Sequence, residues 1–102
     1  MNFIYCTCNA AMLGRITDTL ETIKVKNYQV ADTIISQDIK GKPGQNTDDS
    51  REHNVTITMQ ITDSIKSKMI LNIFRNINKE NAGNSDKMLT VCSWEMENYF
   101  ID

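Results

Sequence analysis

The stretch NVTITMQIT, residues 54–62, carries the clearest fold signal, because apolar and polar side chains alternate strictly along it. Its odd positions are the apolar residues Val55, Ile57, Met59 and Ile61. Successive side chains of a strand point to opposite faces of a sheet, so this pattern predicts a strand with one face on a core. The polar face predicts an antiparallel sheet that the rest of the chain covers on one side only.

Three further segments on either side of this strand are predicted to be strands. They are FIYCTC at residues 3–8, YQVADTIIS at 28–36 and MLTVCSW at 88–94. All three are rich in β-branched and aromatic residues, and turn-forming residues separate them from the segments around them. The chain therefore contains four strand signals.

Two segments between these strands have apolar residues at helical spacing. The first is expected to begin near Ala10, with Asn9 as its N-cap, and its apolar face consists of Leu13, Ile16, Leu20 and Ile23. The second is expected to follow a cap at Asp63 or Ser64 and to end by Lys79. Its predicted apolar stripe consists of Ile65, Met69, Ile70, Ile73, Phe74 and Ile77.

The order strand, helix, strand, strand, helix, strand predicts an α+β, ferredoxin-like βαββαβ fold. Two helices would cover one face of a four-stranded antiparallel sheet. We expect the uncovered face to contain Phe3, Tyr5, Leu89 and Val91 beside the polar residues of the third strand. Because such apolar residues are seldom left in water as a patch, an oligomer is expected to cover this face. Trp94 is either at the edge of the core or, as we favour, an intersubunit anchor.

A long polar segment, IKGKPGQNTDDSREHN at residues 39–54, separates the second and third strands. From Lys40 onward it contains no residue suited to a core. Connections in compact domains usually have about 4–6 residues, and longer ones are often functional loops. We therefore expect this loop to carry function.

Length and composition limit the protein class. A chain of 102 residues, 40% of them hydrophobic, predicts one domain over residues 1–102. A net charge of -2 and a pI near 5.3 provide no basic field, so nucleic acid is not an expected partner.

The N-terminus lacks the pattern of a signal peptide or membrane span, which predicts a cytoplasmic protein without membrane insertion. Three cysteines, an odd number, predict reduced thiols, and we expect all three to be free and mostly buried.

The βαββαβ order, the long polar loop and a Gly/Asn/Asp/Lys turn before the last strand together resemble the PII signal-transduction superfamily, which includes nitrogen regulatory proteins, and its PII-like relatives. The resemblance spans nearly the whole chain. It implies a non-enzymatic homotrimer in which the open sheet faces line the centre. It also implies that effectors bind in clefts between subunits and that the loop after the second strand, the T-loop, contacts a partner protein.

Two short stretches carry the resemblance at the level of residues. NSDKMLTV, residues 84–91, is similar to a Gly-Asp-Gly-Lys stretch of the family, with Lys87 at the lysine and Asp86 where a glycine would stand. GKPGQ, residues 41–45, resembles the glycine-rich base of the T-loop. The effector site implied by the resemblance consists of Gly41, Lys42, Gln45, Asn84, Ser85, Asp86 and Lys87. The implied partner-binding loop residues are Lys40, Arg51 and His53.

The chain also departs from the family in two places. The loop has no tyrosine of the kind that is nucleotidylated, and the tail EMENYFID has no arginine to bind a triphosphate. We therefore expect either a small anionic effector of few charges, such as bicarbonate or the adenine nucleotides AMP and ADP, or only weak binding of ATP. The expected target is a membrane transporter or an enzyme.

Two other classes of function stay open. A CutA-like metal-tolerance trimer has the same topology, and Cys6, Cys8 and Cys92 on neighbouring strands would form a three-thiolate site for a soft metal, with His53 as another candidate ligand. A small acyl-phosphate hydrolase would need an anion cradle after the first strand, where CNAAMLGR provides only Asn9 and Arg15. The preferred interpretation assigns no catalytic residue and no metal.

Overall fold

Strands and helices follow one another in the predicted order in the computed structural model, which describes residues 1–33 and 53–100. The strands are β1 (Asn2–Asn9), β2 (Tyr28–Thr33), β3 (Asn54–Ile61) and β4 (Thr90–Glu95). The α-helices are α1 (Leu13–Thr22) and α2 (Ser64–Glu80), and the described residues also form 3-10 helices at Ala10–Met12 and Ser85–Lys87. The ferredoxin-like βαββαβ fold is thereby confirmed. Among the described residues, neither helix has the length and apolar character needed to cross a bilayer.

The four strands form one antiparallel sheet in the order β2-β3-β1-β4. Strand β1 is central and pairs with β3 along its whole length, from Asn2 opposite Ile61 to Asn9 opposite Asn54. In this register Cys6 lies opposite Ile57 on the helix side of the sheet. The chain connection from β3 through α2 therefore returns β4 to the free edge of β1.

The core lies between the helices and one face of the sheet. The alternation predicted for β3 is confirmed, because all four of its apolar residues are buried. Helix α1 contributes Ile16 and Leu20, and α2 contributes Ile70, Phe74 and Ile77. Burying a side chain of this size stabilises the fold by about 1.5–3 kcal/mol. These contacts hold both helices on the same face.

The predicted apolar stripe of α2 is wrong at two positions. Ile65 is 74% exposed and Met69 is 41% exposed. At about 100° per residue, Ile65 lies almost opposite the buried stripe, and Met69 lies about a third of a turn from it. The stripe instead includes Ser67, whose hydroxyl accepts a hydrogen bond of 2.9 Å from the side-chain amide of Asn2 on β1.

The expected composition of the open sheet face also needs correction. Val91 pairs with Cys6, which puts its side chain on the helix side, and Leu89 precedes β4 and is buried in the core. The residues of β4 on the open face are Thr90, Cys92 and Trp94, one position out of phase with the expectation. Phe3 and Tyr5 of β1 lie on the open face as predicted, because they pair with Trp94 and Cys92.

The predicted helix caps are present. The Asp63 carboxylate accepts hydrogen bonds from the backbone N–H groups of Ile65, at 2.9 Å, and Lys66, at 3.3 Å. The Asn9 side chain accepts one of 2.9 Å from Ala11 at the start of the first 3-10 helix. Such caps satisfy N–H groups that have no partner within the helix.

Candidate functional site

A polar cleft of about 390 Å³ opens at the edge of the sheet where β1 ends and β3 begins. Hydroxyl and side-chain amide groups dominate its lining, together with one carboxylate and two sulfur-containing side chains. The lining residues are Thr7, Cys8, Asn9, Asn54, Ser85, Asp86, Met88 and Thr90. No lysine or arginine is among these lining residues, so the described part of the cleft provides hydrogen bonds but no positive side chain.

One wall of the cleft is built where the chain enters β3. Asn54 is the first residue of β3 and pairs with Asn9, the last residue of β1. The backbone N–H of Ala10 donates a hydrogen bond of 3.0 Å to the carbonyl of His53, which extends this pairing by one step. The end of the connection between β2 and β3 is therefore fixed beside the cleft.

The opposite wall is the 3-10 helix Ser85–Lys87, which precedes β4. Gly83 has a φ of 85°, a left-handed conformation that glycine adopts readily, and it lets the chain turn after α2. The backbone N–H of Lys87 donates a hydrogen bond of 3.0 Å to the carbonyl of Asn84. This turn carries Ser85 and Asp86 into the lining.

Asn78 on α2 fixes the chain just after this turn. Its side-chain NH₂ donates a hydrogen bond of 2.9 Å to the carbonyl of Leu89. Its side-chain oxygen accepts one of 2.6 Å from the N–H of the same residue. The amide thus satisfies both backbone groups of Leu89, as a neighbouring strand would do. Asn78 therefore sets the position at which β4 begins.

The structure brings together only part of the predicted effector site. Ser85 and Asp86 line the cleft, and Asn84 and Lys87 lie on the same turn as exposed residues outside the lining. The other predicted site residues lie outside the described residues: Gly41, Lys42 and Gln45, and with them Lys40 and Arg51 of the predicted partner-binding loop. The grouping of Lys42 and Gln45 with Lys87 stays a prediction.

His53 is the one predicted loop residue that the structure describes. It is half-buried, and its Nε2 lies 3.8 Å from Oδ1 of Asp32, which is near the end of β2. The pair therefore links the two strand ends between which the loop runs. Because Asp32 is largely exposed, the attraction is expected to contribute no more than about 1 kcal/mol.

Several lining residues were not predicted from the sequence. Thr7, Cys8, Asn54 and Thr90 come from three different strands, and they meet only through the pairing of β1 with β3 and β4. Asn9 was predicted as a helix cap and not as a cleft residue. The available signal was positional: each of these residues lies at a strand end next to the long loop or the turn before β4.

The three-cysteine metal site is excluded by the register. Cys6 and Cys8 are buried on the helix side, whereas Cys92 lies opposite Tyr5 on the open face and is exposed. The expectation that all three thiols are mostly buried is therefore wrong for Cys92, although all three are free. Within residues 1–33 and 53–100, no three His, Cys, Asp or Glu side chains converge on a metal-sized site.

Cys6 and Cys8 interact with each other. A hydrogen bond between their thiols raises the pKa of Cys6, and burial raises it further. The same bond lowers the pKa of Cys8, although burial acts in the opposite direction. Of the two thiols, Cys8, which also lines the cleft, is therefore the more readily deprotonated.

The open face of the sheet has an aromatic patch formed by Phe3, Tyr5 and Trp94. The rings of Phe3 and Trp94 pack with centroids 4.7 Å apart and an interplanar angle of 33°. Trp94 is nevertheless 50% exposed. Side chains of β3 and β4 border the patch with hydroxyl, amide and thiol groups.

Comparison with known proteins shows structural similarity but no match in sequence. No protein-family model matches the chain, and a comparison with curated proteins finds no match either. Among solved structures, the chain is similar to a protein from Thermus thermophilus that is provisionally described as a PII-like signaling protein. The TM-score is 0.59 at 10% sequence identity, over 91% of this chain and 83% of the other. The two chains share a fold.

Proposed function

We propose that this chain is a PII-like regulatory protein. It forms a homotrimer, binds a small anionic effector in clefts between subunits, and signals to a partner protein through the loop at residues 39–54. The observation that carries the proposal is the composition of the cleft, in which Ser85 and Asp86 of the turn before β4 lie opposite Asn54, where the loop enters β3. One ligand in this cleft touches both the turn and the base of the loop.

This arrangement gives the effector a direct route to the loop. A ligand shifts a conformational equilibrium only by the difference in its affinity for the two states. Because Asn54 is the last residue of the loop and the first of β3, a ligand bound to Asn54 and Ser85 favours those loop conformations that keep the contact. The loop then presents a different surface to its target, a transporter or an enzyme in the cytoplasm. No catalytic group takes part in this scheme.

The charges around the cleft favour an effector of low charge. Asp86 contributes a negative group to the lining, and Lys87 beside it is the nearest cation along the turn. By the resemblance, Lys42 at the loop base adds a second cation. Backbone N–H groups of a turn also bind anions. We expect AMP, ADP or bicarbonate to bind more tightly than ATP, because residues 95–100 contain no arginine to hold a triphosphate.

The aromatic patch supports the trimeric assembly. Phe3, Tyr5 and Trp94 form an apolar centre with a polar border, which is the usual anatomy of a protein–protein interface. Three copies of the chain related by a threefold axis would bury this patch, as the resemblance to PII-like proteins implies. The cleft then receives part of its wall from a neighbouring subunit.

Isothermal titration calorimetry with AMP, ADP, ATP and bicarbonate tests the effector site. Lys87→Ala removes a charged hydrogen-bond donor worth about 1.5–3 kcal/mol, so it should weaken the best ligand roughly ten- to a hundredfold. Lys68→Ala is the matched control, because Lys68 is an exposed lysine on α2. The control should bind as the unmodified protein does. Equal binding by the Lys87→Ala protein, or no binding of any of the four compounds, would refute the assignment.

A further inference from the structure

The pair Cys6 and Cys8 is the strongest chemical feature that the proposed function leaves unused. The two residues are separated by one position on β1 and therefore point to the same face of the sheet. They are 0% and 4% exposed. Cys8 also lines the polar cleft, whereas Cys6 lies behind it in the core, so Cys8 is the thiol at which an ion from the cleft would first arrive.

The strand geometry favours an ion over a disulfide. Residues two apart on a strand have Cα atoms about 6.6 Å apart, near the upper end of the roughly 4.4–6.8 Å range over which disulfides form. A direct S–S bond would therefore lie near the limit of its usual geometry, beyond the separation of about 5.5–6 Å that most disulfides have. Two thiolates bound to one ion, with metal–sulfur bonds of about 2.3 Å, can be separated by as much as about 4.6 Å. A bridging ion fits an extended strand with less distortion.

The number and type of ligands select the metal. Structural zinc sites need four ligands, and in the described residues no third Cys, His, Asp or Glu joins this pair. Soft sulfur donors favour Cu(I), which is stable with two or three of them. Met88 lines the same cleft as Cys8 and offers a thioether at its mouth. We propose that Cys6 and Cys8 form a dithiolate site for Cu(I), which enters through the cleft.

The binding step is an exchange of protons for metal. Two thiols lose one proton each, two copper–sulfur bonds form, and copper remains in the Cu(I) state throughout. The product carries one net negative charge, and two protons pass to solvent. Because the thiols must be deprotonated, binding should tighten as the pH rises. This site is independent of the effector, so it stands whether or not a nucleotide or bicarbonate binds.

An anaerobic titration of the full chain with Cu(I), in competition with a chromogenic Cu(I) chelator, tests the proposal. We expect one Cu(I) per chain, with a new sulfur-to-copper charge-transfer band in the ultraviolet, and no corresponding uptake of Zn²⁺. Cys6→Ala and Cys8→Ala should each lose the site. Cys92→Ala is the matched control and should keep it, because Cys92 lies on the opposite face of the sheet.

Failure to take Cu(I) from the chelator would overturn the proposal. Loss of the site in Cys92→Ala would also overturn the proposal, as would its retention in either of the core variants Cys6→Ala and Cys8→Ala. If circular dichroism shows that a core variant is unfolded, X-ray absorption at the copper edge of the unmodified protein decides the question. Two or three sulfur neighbours support the dithiolate site, and a shell of nitrogen or oxygen neighbours contradicts it.

Discussion

Asn78→Leu should destabilise the protein strongly and release the turn that forms one wall of the cleft. The substitution keeps a side chain of similar size but removes the donor and the acceptor that bond to Leu89, at 2.9 and 2.6 Å. Leu89 itself is buried, so its backbone N–H and carbonyl are left short of partners. An unsatisfied buried group costs about 1–3 kcal/mol, which gives roughly 2–4 kcal/mol for the pair after partial hydration.

Urea unfolding followed by the fluorescence of Trp94 measures this loss, because Trp94 is the only tryptophan and lies on β4. Amide hydrogen exchange at Leu89 reports the local effect separately. Asn76→Leu is the control, since Asn76 is an exposed asparagine on the same helix, and it should change the free energy of unfolding by less than about 0.5 kcal/mol. Asn78→Asp retains only the acceptor, so its free energy of unfolding should lie between those of Asn78→Leu and Asn76→Leu.

Unchanged stability of Asn78→Leu, with Leu89 still protected from exchange, would refute this reasoning. It would mean that β4 is held in register by its pairing with β1 alone. A loss of protection at Leu89 without a change in global stability would mean that the two hydrogen bonds between Asn78 and Leu89 act only locally. The expected loss of roughly 2–4 kcal/mol would then be too large.

Two further predictions concern the core and the open face. Phe74→Ala should cost about 3–5 kcal/mol in urea unfolding, whereas Ile65→Gln should cost less than about 0.5 kcal/mol, and the reverse order would show that the buried face of α2 is wrongly assigned. Tyr5→Glu puts a charge in the aromatic patch and should dissociate the oligomer in light scattering. Asn72→Glu, on an exposed position of α2, should not, and an unaffected Tyr5→Glu assembly would exclude the patch as the interface.

The parts of the fold that follow from local pattern were predictable. The alternation in residues 54–62 determines which side of β3 is buried, because a shift of one residue would move its whole apolar set into solvent. Asp63 as a helix cap follows from side-chain chemistry that acts within three residues. The order of the strands and helices then leaves few topologies.

The errors came from long-range contacts. Leu89 and Val91 were placed on the wrong face because the start of β4 is set by the Asn78 amide, eleven residues away, and no pattern within β4 contains that information. The apolar residues Ile65 and Met69 met the helical spacing rule loosely, yet Ser67 occupies the buried position. Its partner is Asn2, which lies far away in the sequence.

The candidate site was predictable only in part, for the same reason. Ser85 and Asp86 could be indicated because the turn before the last strand resembles a short family stretch. Thr7, Cys8 and Asn54 carry no such signal, since they become neighbours of the turn only when β1 pairs on both sides. The sequence also does not distinguish a cysteine such as Cys8 that lines a cleft from one that only packs in the core.

The molar mass in solution tests the central claim most directly, because effector clefts between subunits exist only if the open sheet faces assemble. Multi-angle light scattering at micromolar concentration should give three times the chain mass of 11.7 kDa, and this value should persist on dilution. A mass of one chain would contradict the trimeric PII-like regulator, since the aromatic patch of Phe3, Tyr5 and Trp94 would then face solvent and no cleft between subunits would form.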